Sequence, residues 1–461
     1  MKTVLFLLLP IPSHYYPTFG IARLLQQRGY RIIYMGKPQL QEVVEREGFN
    51  FEVLVYAEEF VIRRLKVAVG LFLKSRLDAS YTRDRYREFL LKNRLFEQAI
   101  VRLKPHIVFL DDTLGLYYPI IAGKAAVVQL STKLSPRKQA GVPPLNCFWE
   151  PWNSYTADWI VKWYWFWHIQ KRRLKNQIQW FVFNGRHDSY FQQKYDRKRS
   201  ARWADVRDEK ASLYDGLKNV PAIVLAPIEL EFAWTKPHMH EVYMALPTIR
   251  NEQTRFSGSY EDILTKLLNL QNSHNIKIIY VSLGSLSHCK PTIARRFLIN
   301  VITALRGMVD IQVIISTGDI ELGPIFTSTN IHLLPTIPQL HLLPFCDLMI
   351  THGGLGTIKE CLEAGVPMLI YPLNKRIDQP GNSARVVSRQ FGLRGRIKDS
   401  PMSIQQKVKI LLQTPVYRTN CQNMQQRLKQ IDTSQLVNDF LQWLDLENLD
   451  LAESYKSMLN V

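Results

Sequence analysis

The sequence has no apolar run long enough to cross a membrane. The longest, residues 4–12, has nine residues, whereas a membrane-spanning helix needs about 20. We therefore expect no transmembrane helix. No small-residue cleavage site follows the run, so we interpret it as a first buried strand rather than a signal peptide.

Cysteine is also scarce. The five cysteines are odd in number and scattered, and they lack the spacing of metal ligands: Cys147, Cys289, Cys346, Cys361 and Cys421. This pattern argues against a disulfide scaffold and a structural zinc site, and it favours a cytoplasmic protein. There is no internal repeat and no low-complexity tract. With 461 residues, 46% hydrophobic and 21% charged, the chain has globular composition, and its length predicts two or three domains.

The charge is strongly positive and uneven. The formal net charge is +19, and residues 61–210 carry 29 Lys and Arg against 13 Asp and Glu. A basic field of this kind indicates a nucleic acid, an anionic bilayer or a small anionic ligand as partner. Charge alone leaves all three open.

Strand-like apolar runs alternate with helical patterns along most of the chain. The runs are residues 3–10, 31–35, 107–110, 222–225, 277–282, 311–316, 348–351 and 368–371. Such alternation predicts an α/β protein with two doubly wound parallel sheets. A polar stretch at residues 248–259 is the predicted linker between them. In such folds the ligand lies beyond the carboxyl ends of the strands, so residues just after strands are the candidates for function.

Two such positions lie in the first half. His14 lies between the first strand and the helix that follows it, and an imidazole suits proton transfer at neutral pH. Asp111 and Asp112 follow the strand at residues 107–110. Either carboxylate could hold the His14 ring and stabilise its protonated form, and we favour Asp111. Taken singly, each residue could equally be an ordinary surface or capping residue.

A glycine-rich turn in the second half is the most specific signal. Thr351-His352-Gly353-Gly354-Leu355-Gly356-Thr357 joins a strand to a helix that ends at Gly365. Free backbone N–H groups and the positive end of the helix dipole make such a turn a phosphate site. Glu360, one turn further on, is placed to bind a sugar hydroxyl such as that of ribose.

Motifs around this turn resemble the donor-binding signature of the UDP-glycosyltransferases, and the pattern is that of the bacterial macrolide and carotenoid branch. They are Pro338-Gln339, His352-Gly353-Gly354, Thr357, Glu360, Gly365-Val366-Pro367 and Asp378-Gln379. His14 and Asp111 match the positions of the family's general base and its partner. The resemblance implies the GT-B fold, in which two Rossmann-like domains face a central cleft. It assigns residues 1–247 to acceptor binding and 260–435 to the nucleotide sugar, with helices at 436–461 returning to the first domain.

The resemblance also implies roles for individual residues. Glu360 would bind the ribose, Gln339 the base, and Asp378 and Gln379 the transferred sugar. Thr336 stands where plant members have a tryptophan that stacks on the base, and Leu355-Gly356 replaces a plant Trp-Asn pair. The residues that would hold the diphosphate are Ser285, His352, Gly354, Gly356 and Thr357.

The expected activity is inverting transfer of a hexose, with glucose the first choice, from a UDP-sugar to a hydroxyl of a hydrophobic acceptor such as a carotenoid or a macrolide. His14 would be the general base, assisted by Asp111. We expect no cofactor and no metal, since UDP-glucose is a co-substrate and no acidic pair suggests magnesium. Two alternatives stay open: glucosylation of a sterol or glycolipid at a membrane, and a non-catalytic nucleotide-binding subunit.

The third notable region is rich in tryptophan. Six of the ten tryptophans lie between residues 149 and 167, and Lys171, Arg172, Arg173 and Lys175 follow. Trp159, Trp163 and Trp167 would share one helical face, a pattern typical of an acceptor site or of the surface of an anionic membrane. A second basic, apolar segment lies at residues 60–77. Core helices with solvated cations are the alternative. No nucleic-acid-binding motif accompanies the charge, so a peripheral position on the inner face of the membrane is the preferred interpretation.

Overall fold

A computed structural model of the chain describes residues 1–54, 79–151, 154–182, 217–249, 258–274, 276–284, 291–322 and 328–445. Its core consists of two sheets whose neighbouring strands are all parallel. The predicted α/β fold with two Rossmann-like sheets is therefore confirmed.

The first sheet has seven strands in the order β3-β2-β1-β4-β5-β6-β7. Helical connections on both faces bury its central strands, so these strands are almost wholly apolar. The strands are β1 (Thr3–Leu7), β2 (Arg31–Gly36), β3 (Asn50–Val53), β4 (Ile107–Asp111), β5 (Ala126–Ser131), β6 (Ala222–Val224) and β7 (Glu241–Tyr243).

The second sheet has six strands in the order β10-β9-β8-β11-β12-β13. In both sheets the order reverses beside the first strand, between β1 and β4 and between β8 and β11. Such a reversal opens a crevice at the carboxyl ends of the strands. The strands are β8 (Lys277–Ser282), β9 (Ile311–Ser316), β10 (Ile331–Leu334), β11 (Leu348–Thr351), β12 (Met368–Ile370) and β13 (Gly392–Arg394).

The helices cover the sheets through apolar stripes. In Pro291–Leu305, for example, Phe297, Leu298, Val301 and Ile302 are buried, the spacing of one helical face. In chain order the helices are α1 (Pro12–Tyr15), α2 (Phe19–Gln27), α3 (Gln41–Glu45), α4 (Ala79–Leu103), α5 (Tyr118–Ile121), α6 (Ser154–Val182), α7 (Gly258–His274), α8 (Pro291–Leu305), α9 (Gln339–Leu342), α10 (Leu355–Ala364), α11 (Gln379–Ser388), α12 (Pro401–Gln413), α13 (Pro415–Gln430) and α14 (433–445). None of these helices is long and apolar enough to cross a bilayer.

The final helix packs on the first sheet rather than the second. Val437, Phe440 and Leu444 belong to the same buried cluster as β1 and β2. The Arg28 guanidinium also donates to Oδ1 of Asn438 at 2.9 Å. The chain therefore returns to its first domain after completing the second.

A buried ion pair joins the two domains, each of which is built on one of the sheets. Arg385 on α11 donates to the carboxylate of Glu231, and both side chains are at most 1% exposed. The guanidinium lies over the ring of Phe232, 4.8 Å from its centroid. Nearby, the backbone N–H of Gly381 donates to the Leu145 carbonyl at 2.7 Å. These contacts hold α11 directly against the first domain.

Candidate active site

The first half of the site lies where β1 and β4 end. His14 sits in the short helix α1, where Pro12 at the start favours a helical turn. Because β1 and β4 are neighbours in parallel register, the residues after them emerge at one edge of the sheet. Nδ1 of His14 donates to Oδ2 of Asp111 at 2.6 Å.

Asp111 is fixed from several sides. The carboxylate is fully buried, and its Oδ1 accepts from the backbone N–H of Thr113 at 2.9 Å and from the Thr113 hydroxyl. The backbone N–H of Leu9 approaches Oδ2 at 3.3 Å. A carboxylate with so many donors cannot turn away from His14, so the ring is held in one orientation.

The two groups shift each other's protonation. Burial lowers the pKa of His14, but the charge of Asp111 and the hydrogen bond to it outweigh burial and raise that pKa above 6.5. Burial likewise raises the pKa of Asp111, but His14 and Thr113 bring it down to about 2. Asp111 is therefore charged at neutral pH. With Nδ1 donating to it, the neutral ring presents Nε2 as a proton acceptor.

Asp112 has a different environment from Asp111. Its carboxylate accepts from the Ser131 hydroxyl at 2.8 Å and lies 3.3 Å from Nζ of Lys133. Burial is the main reason that its pKa is raised. Of the two adjacent carboxylates, the structure places Asp111 against His14 and pairs Asp112 with Lys133.

Lys133 is a site residue that the sequence did not reveal. Burial lowers its pKa, but Asp112 and Asp111 outweigh burial and raise it, and Asp378 of the second domain contributes in the same direction. The positive charge in turn lowers the pKa of His14. The Lys133 cation thus interacts electrostatically with both the His14 pair and Asp378 of the second domain. The only sequence signal was its place three residues after the mostly apolar segment at residues 125–130.

The second half of the site lies where β8 and β11 end. His352 follows β11, and its ring lies between two glycines. A Cβ on Gly284 would lie 2.6 Å from Cε1 of His352, and one on Gly354 would lie 2.7 Å from Nε2. Burial lowers the pKa of His352 to about 4, so the ring is a neutral hydrogen-bonding group at physiological pH.

Helix α10 starts next to this ring with its amino end uncapped by side chains. Gly354, the N-cap, has extended backbone and no side-chain cap. The first N–H with a partner in the helix is that of Ile358, which donates to the Gly354 carbonyl at 3.1 Å. The N–H groups of Leu355, Gly356 and Thr357 precede that first bond. Such a helix start attracts an anion.

Glu360 and Gln339 meet beside this helix start. The Gln339 side-chain amide donates to the Glu360 carboxylate and reaches the Thr357 hydroxyl at 3.5 Å. Glu360 is 5% exposed. Thr336, by contrast, is exposed to solvent just before α9.

Asp378 and Gln379 are tied to the glycine-rich turn by Asn382. The Asn382 amide donates to Asp378 at 2.9 Å and to the Gly353 carbonyl at 3.0 Å. Gln379 is buried; its Oε1 accepts from Asn374, while its Nε2 has no partner in the described part of the chain. Asn382 was not identified from the sequence, since its contacts depend on the packing of α11 against the turn.

Ser285 and the basic segment at residues 60–77 lie outside the described residues. Trp159, Trp163 and Trp167 lie on α6, where their side chains are exposed.

In the comparison with known proteins, the sequence similarity lies in the second domain. Residues 301–438 match the family described as erythromycin biosynthesis protein CIII-like, C-terminal domain. Human UDP-glucuronosyltransferase 3A1 is 39% identical over 72 residues, which is 15% of this chain and 13% of that protein. Aclacinomycin-T 2-deoxy-L-fucose transferase from Streptomyces galilaeus is 35% identical over 63 residues, 14% of each chain. The match to curated relatives thus spans a small part of their length.

Solved structures extend the likeness to the whole chain. The glycotransferase of kitacinnamycin superposes with a TM-score of 0.66 at 17% identity, over 96% of this chain and 98% of that one. Spinosyn rhamnosyltransferase SpnG, solved with thymidine diphosphate and with the spinosyn aglycone, has TM-scores of 0.58 and 0.57 at 13% and 14% identity, over 95% of this chain and 100% of that one. The chain therefore has the GT-B fold, and part of its second domain is similar in sequence to glycosyltransferases of the erythromycin CIII-like and UDP-glucuronosyltransferase groups.

Proposed function

We propose that the protein is an inverting glycosyltransferase that moves a hexose from a UDP-sugar to a hydroxyl of a hydrophobic acceptor. His14 is the general base, Asp111 fixes its orientation and stabilises its protonated form, and the start of α10 binds the diphosphate. Glucose is the first candidate for the sugar.

The observation that carries the proposal is the 2.6 Å hydrogen bond from His14 to Asp111. A protein that only bound nucleotide would gain nothing from a buried carboxylate that fixes an imidazole at the crevice. A base needs this arrangement, because the carboxylate sets the tautomer and stabilises the imidazolium that forms during proton transfer.

The step is a single displacement. The acceptor hydroxyl gives its proton to Nε2 of His14 while its oxygen forms a bond to the anomeric carbon. The bond from that carbon to the diphosphate oxygen breaks on the opposite side, so UDP leaves and the configuration inverts. The negative charge that grows on the leaving diphosphate is stabilised by the amide N–H groups at the start of α10 and by the helix dipole.

The remaining residues position the donor. Glu360 accepts hydrogen bonds from the ribose hydroxyls, and Gln339, already bonded to Glu360, supports the base. Asp378 and the unpartnered amide of Gln379 bind hydroxyls of the sugar. The GT-B neighbour SpnG was solved with thymidine diphosphate and with an aglycone. These complexes support a cleft that binds both a nucleotide and an acceptor.

A transfer assay tests the proposal. The protein is incubated with UDP-glucose, UDP-glucuronate or TDP-glucose, with and without a panel of hydrophobic alcohols, and release of the nucleoside diphosphate is measured. We expect release of the nucleoside diphosphate from one of the donors. An acceptor should accelerate this release, and His14→Ala should lose it. Nucleotide binding without release from any donor would contradict the proposal and favour the non-catalytic alternative.

A further inference from the structure

Among the side chains of helix α6 that the structure describes, the buried ones lie on one face. Val161 and Trp165 on that face are 1% and 4% exposed, and they pack with Trp149 in a small cluster. The indole N–H of Trp165 donates to the Val142 carbonyl at 2.8 Å. This anchor fixes which side of the helix faces outward.

The outward side carries a row of large apolar side chains. At 100° per residue their positions fall within an arc of about 120°, and at 1.5 Å per residue the row is about 28 Å long. Each side chain is between 44% and 69% exposed: Trp159, Trp163, Phe166, Trp167, Leu174 and Ile178. We call these six residues the aromatic face. Gln170 and Gln177 fall within the same arc, but a soluble surface rarely leaves so many large apolar groups on one side of a helix unless something binds there.

Cations border the aromatic face on both sides. By the same helical geometry, Lys162 and Arg173 lie along one edge and Lys171 along the other, and all three are exposed. Residues 154–182 contain five Lys and Arg and one acidic residue, Asp158, which lies 2.7 Å from Lys162. An apolar arc between two basic edges matches an anionic bilayer, whose headgroups lie on either side of a helix that rests in the interface.

The segment that anchors α6 also contacts the donor domain. Between Val142 and the helix, the Leu145 carbonyl accepts from Gly381 at 2.7 Å and the Phe148 carbonyl accepts from Arg394, also at 2.7 Å. Gly381 belongs to α11, the helix that begins directly after Asp378. The aromatic face is therefore attached to the part of the second domain that we propose binds the sugar.

We propose that the aromatic face rests on an anionic lipid bilayer and that the acceptor is a hydroxylated lipid taken from that bilayer. The identity of the acceptor rests on the proposed function; the docking of the face does not. The Trp and Phe side chains enter the apolar boundary while the bordering Lys and Arg contact anionic headgroups. The net charge of +19 attracts the whole protein to the same surface.

Sedimentation with vesicles tests the docking. The full chain is mixed with vesicles of phosphatidylcholine alone or with phosphatidylglycerol added, at low and at high salt. We expect the protein to sediment with the anionic vesicles, and high salt to weaken that binding because it screens the headgroup charge. Replacing Trp163 and Trp167 together by Ser should weaken it roughly tenfold or more, since each tryptophan contributes a large apolar area.

Two controls make the result specific. Val309→Ser and Met402→Ser remove apolar side chains that are 92% and 79% exposed in the second domain, and they should bind vesicles as the wild type does. If the wild type stays in the supernatant with anionic vesicles at low salt, or if the double Trp variant binds as well as the wild type, the docking proposal is overturned. The docking proposal is also overturned if the aromatic face instead joins two copies of the chain. That outcome would appear as a wild-type dimer that the double Trp variant does not form, together with no binding to vesicles.

The experiments distinguish a failure of the docking proposal from a failure of the proposed function. His14→Ala removes the proposed base, far from α6 in sequence, and should bind vesicles like the wild type. Vesicle binding without turnover of any nucleotide sugar supports the docking and contradicts the proposed function. Turnover of a water-soluble alcohol without vesicle binding overturns the docking alone.

Discussion

The imidazole of His14 donates to the carboxylate of Asp111 at 2.6 Å, across 97 residues of sequence. Three other donors, from Leu9 and Thr113, hold that carboxylate in place. The pair lies at the point where the strand order of the first sheet reverses, and the uncapped start of α10 lies at the equivalent point of the second. The proposed proton acceptor and the proposed anion site thus occupy the two positions where doubly wound sheets open a crevice.

Removal of the base should reduce turnover without reducing nucleotide affinity. A positioned general base contributes about 10²–10⁴ to the rate, so His14→Ala should lose that factor in kcat. The Kd of UDP, measured by calorimetry, should stay unchanged because the proposed diphosphate site is the start of α10 rather than His14. Wild-type turnover in this variant would exclude His14 from the mechanism.

The pH profile should depend on Asp111. The base acts as the neutral imidazole, so kcat/KM falls as pH drops below the pKa of His14, which Asp111 raises above 6.5. In Asp111→Asn the raising charge is lost while burial still lowers that pKa. The acidic limb of the profile should therefore move to lower pH, and the plateau should fall because the amide no longer stabilises the imidazolium. An acidic limb at the wild-type pH would show that another group titrates.

Loss of the Lys133 charge should shift the acidic limb of the pH profile in the opposite direction. Its charge lowers the pKa of His14, so Lys133→Met should raise that pKa and move the acidic limb to higher pH. Lys133→Arg keeps the charge and serves as the matched control, with a limb near that of the wild type. If Lys133→Met leaves the limb in place, Lys133 does not act on the base electrostatically.

The Thr357 hydroxyl should contribute to diphosphate affinity. A hydrogen bond to a charged group contributes about 1.5–3 kcal/mol, so Thr357→Val should weaken UDP binding by roughly 10–100-fold. Thr357→Ser keeps the hydroxyl and should bind UDP nearly as well as the wild type. Titration calorimetry measures both. Equal affinities for all three proteins would place the diphosphate elsewhere.

The ion pair between Glu231 and Arg385 should matter for stability. Both side chains are at most 1% exposed, so Glu231→Gln leaves a buried guanidinium without its counter-charge. Loss of one partner of such a pair costs about 3–5 kcal/mol, measured as the free energy of unfolding in urea. Replacing Arg385 by Met in the same protein should recover much of that loss. An unchanged unfolding midpoint in Glu231→Gln would contradict a structural role for the pair.

Much of the fold could be predicted because its central strands are buried on both faces. The predicted strands at residues 277–282, 311–316 and 348–351 have the bounds of β8, β9 and β11. The missed strands are β3, β5, β7, β10 and β13. Of these, β7 and β13 have three residues each, too few to form a recognisable run, whereas β5 has six residues but contains the polar Gln129. His14 lies in a helical turn between β1 and α2 because Pro12 starts that turn.

The site was predictable only in part. Parallel strands end at a common edge, so the order of strands indicated that His14 and a carboxylate after β4 would be close. Which of Asp111 and Asp112 faces His14 depends on the backbone direction at the strand end, which no pattern shows. Lys133 and Asn382 were missed because Asp112, which Lys133 contacts, and Gly353, which Asn382 ties to α11, each lie 20 or more residues away.

A crystal structure of the protein with UDP tests the central claim most directly. It would locate both phosphates relative to the start of α10 and to His14. We predict phosphate oxygens within hydrogen-bonding distance of the amides of Gly356 and Thr357, the ribose on Glu360, and the far phosphate directed across the cleft towards Nε2 of His14. UDP bound away from that helix start, or side chains that fill the position of the phosphates, would contradict the account.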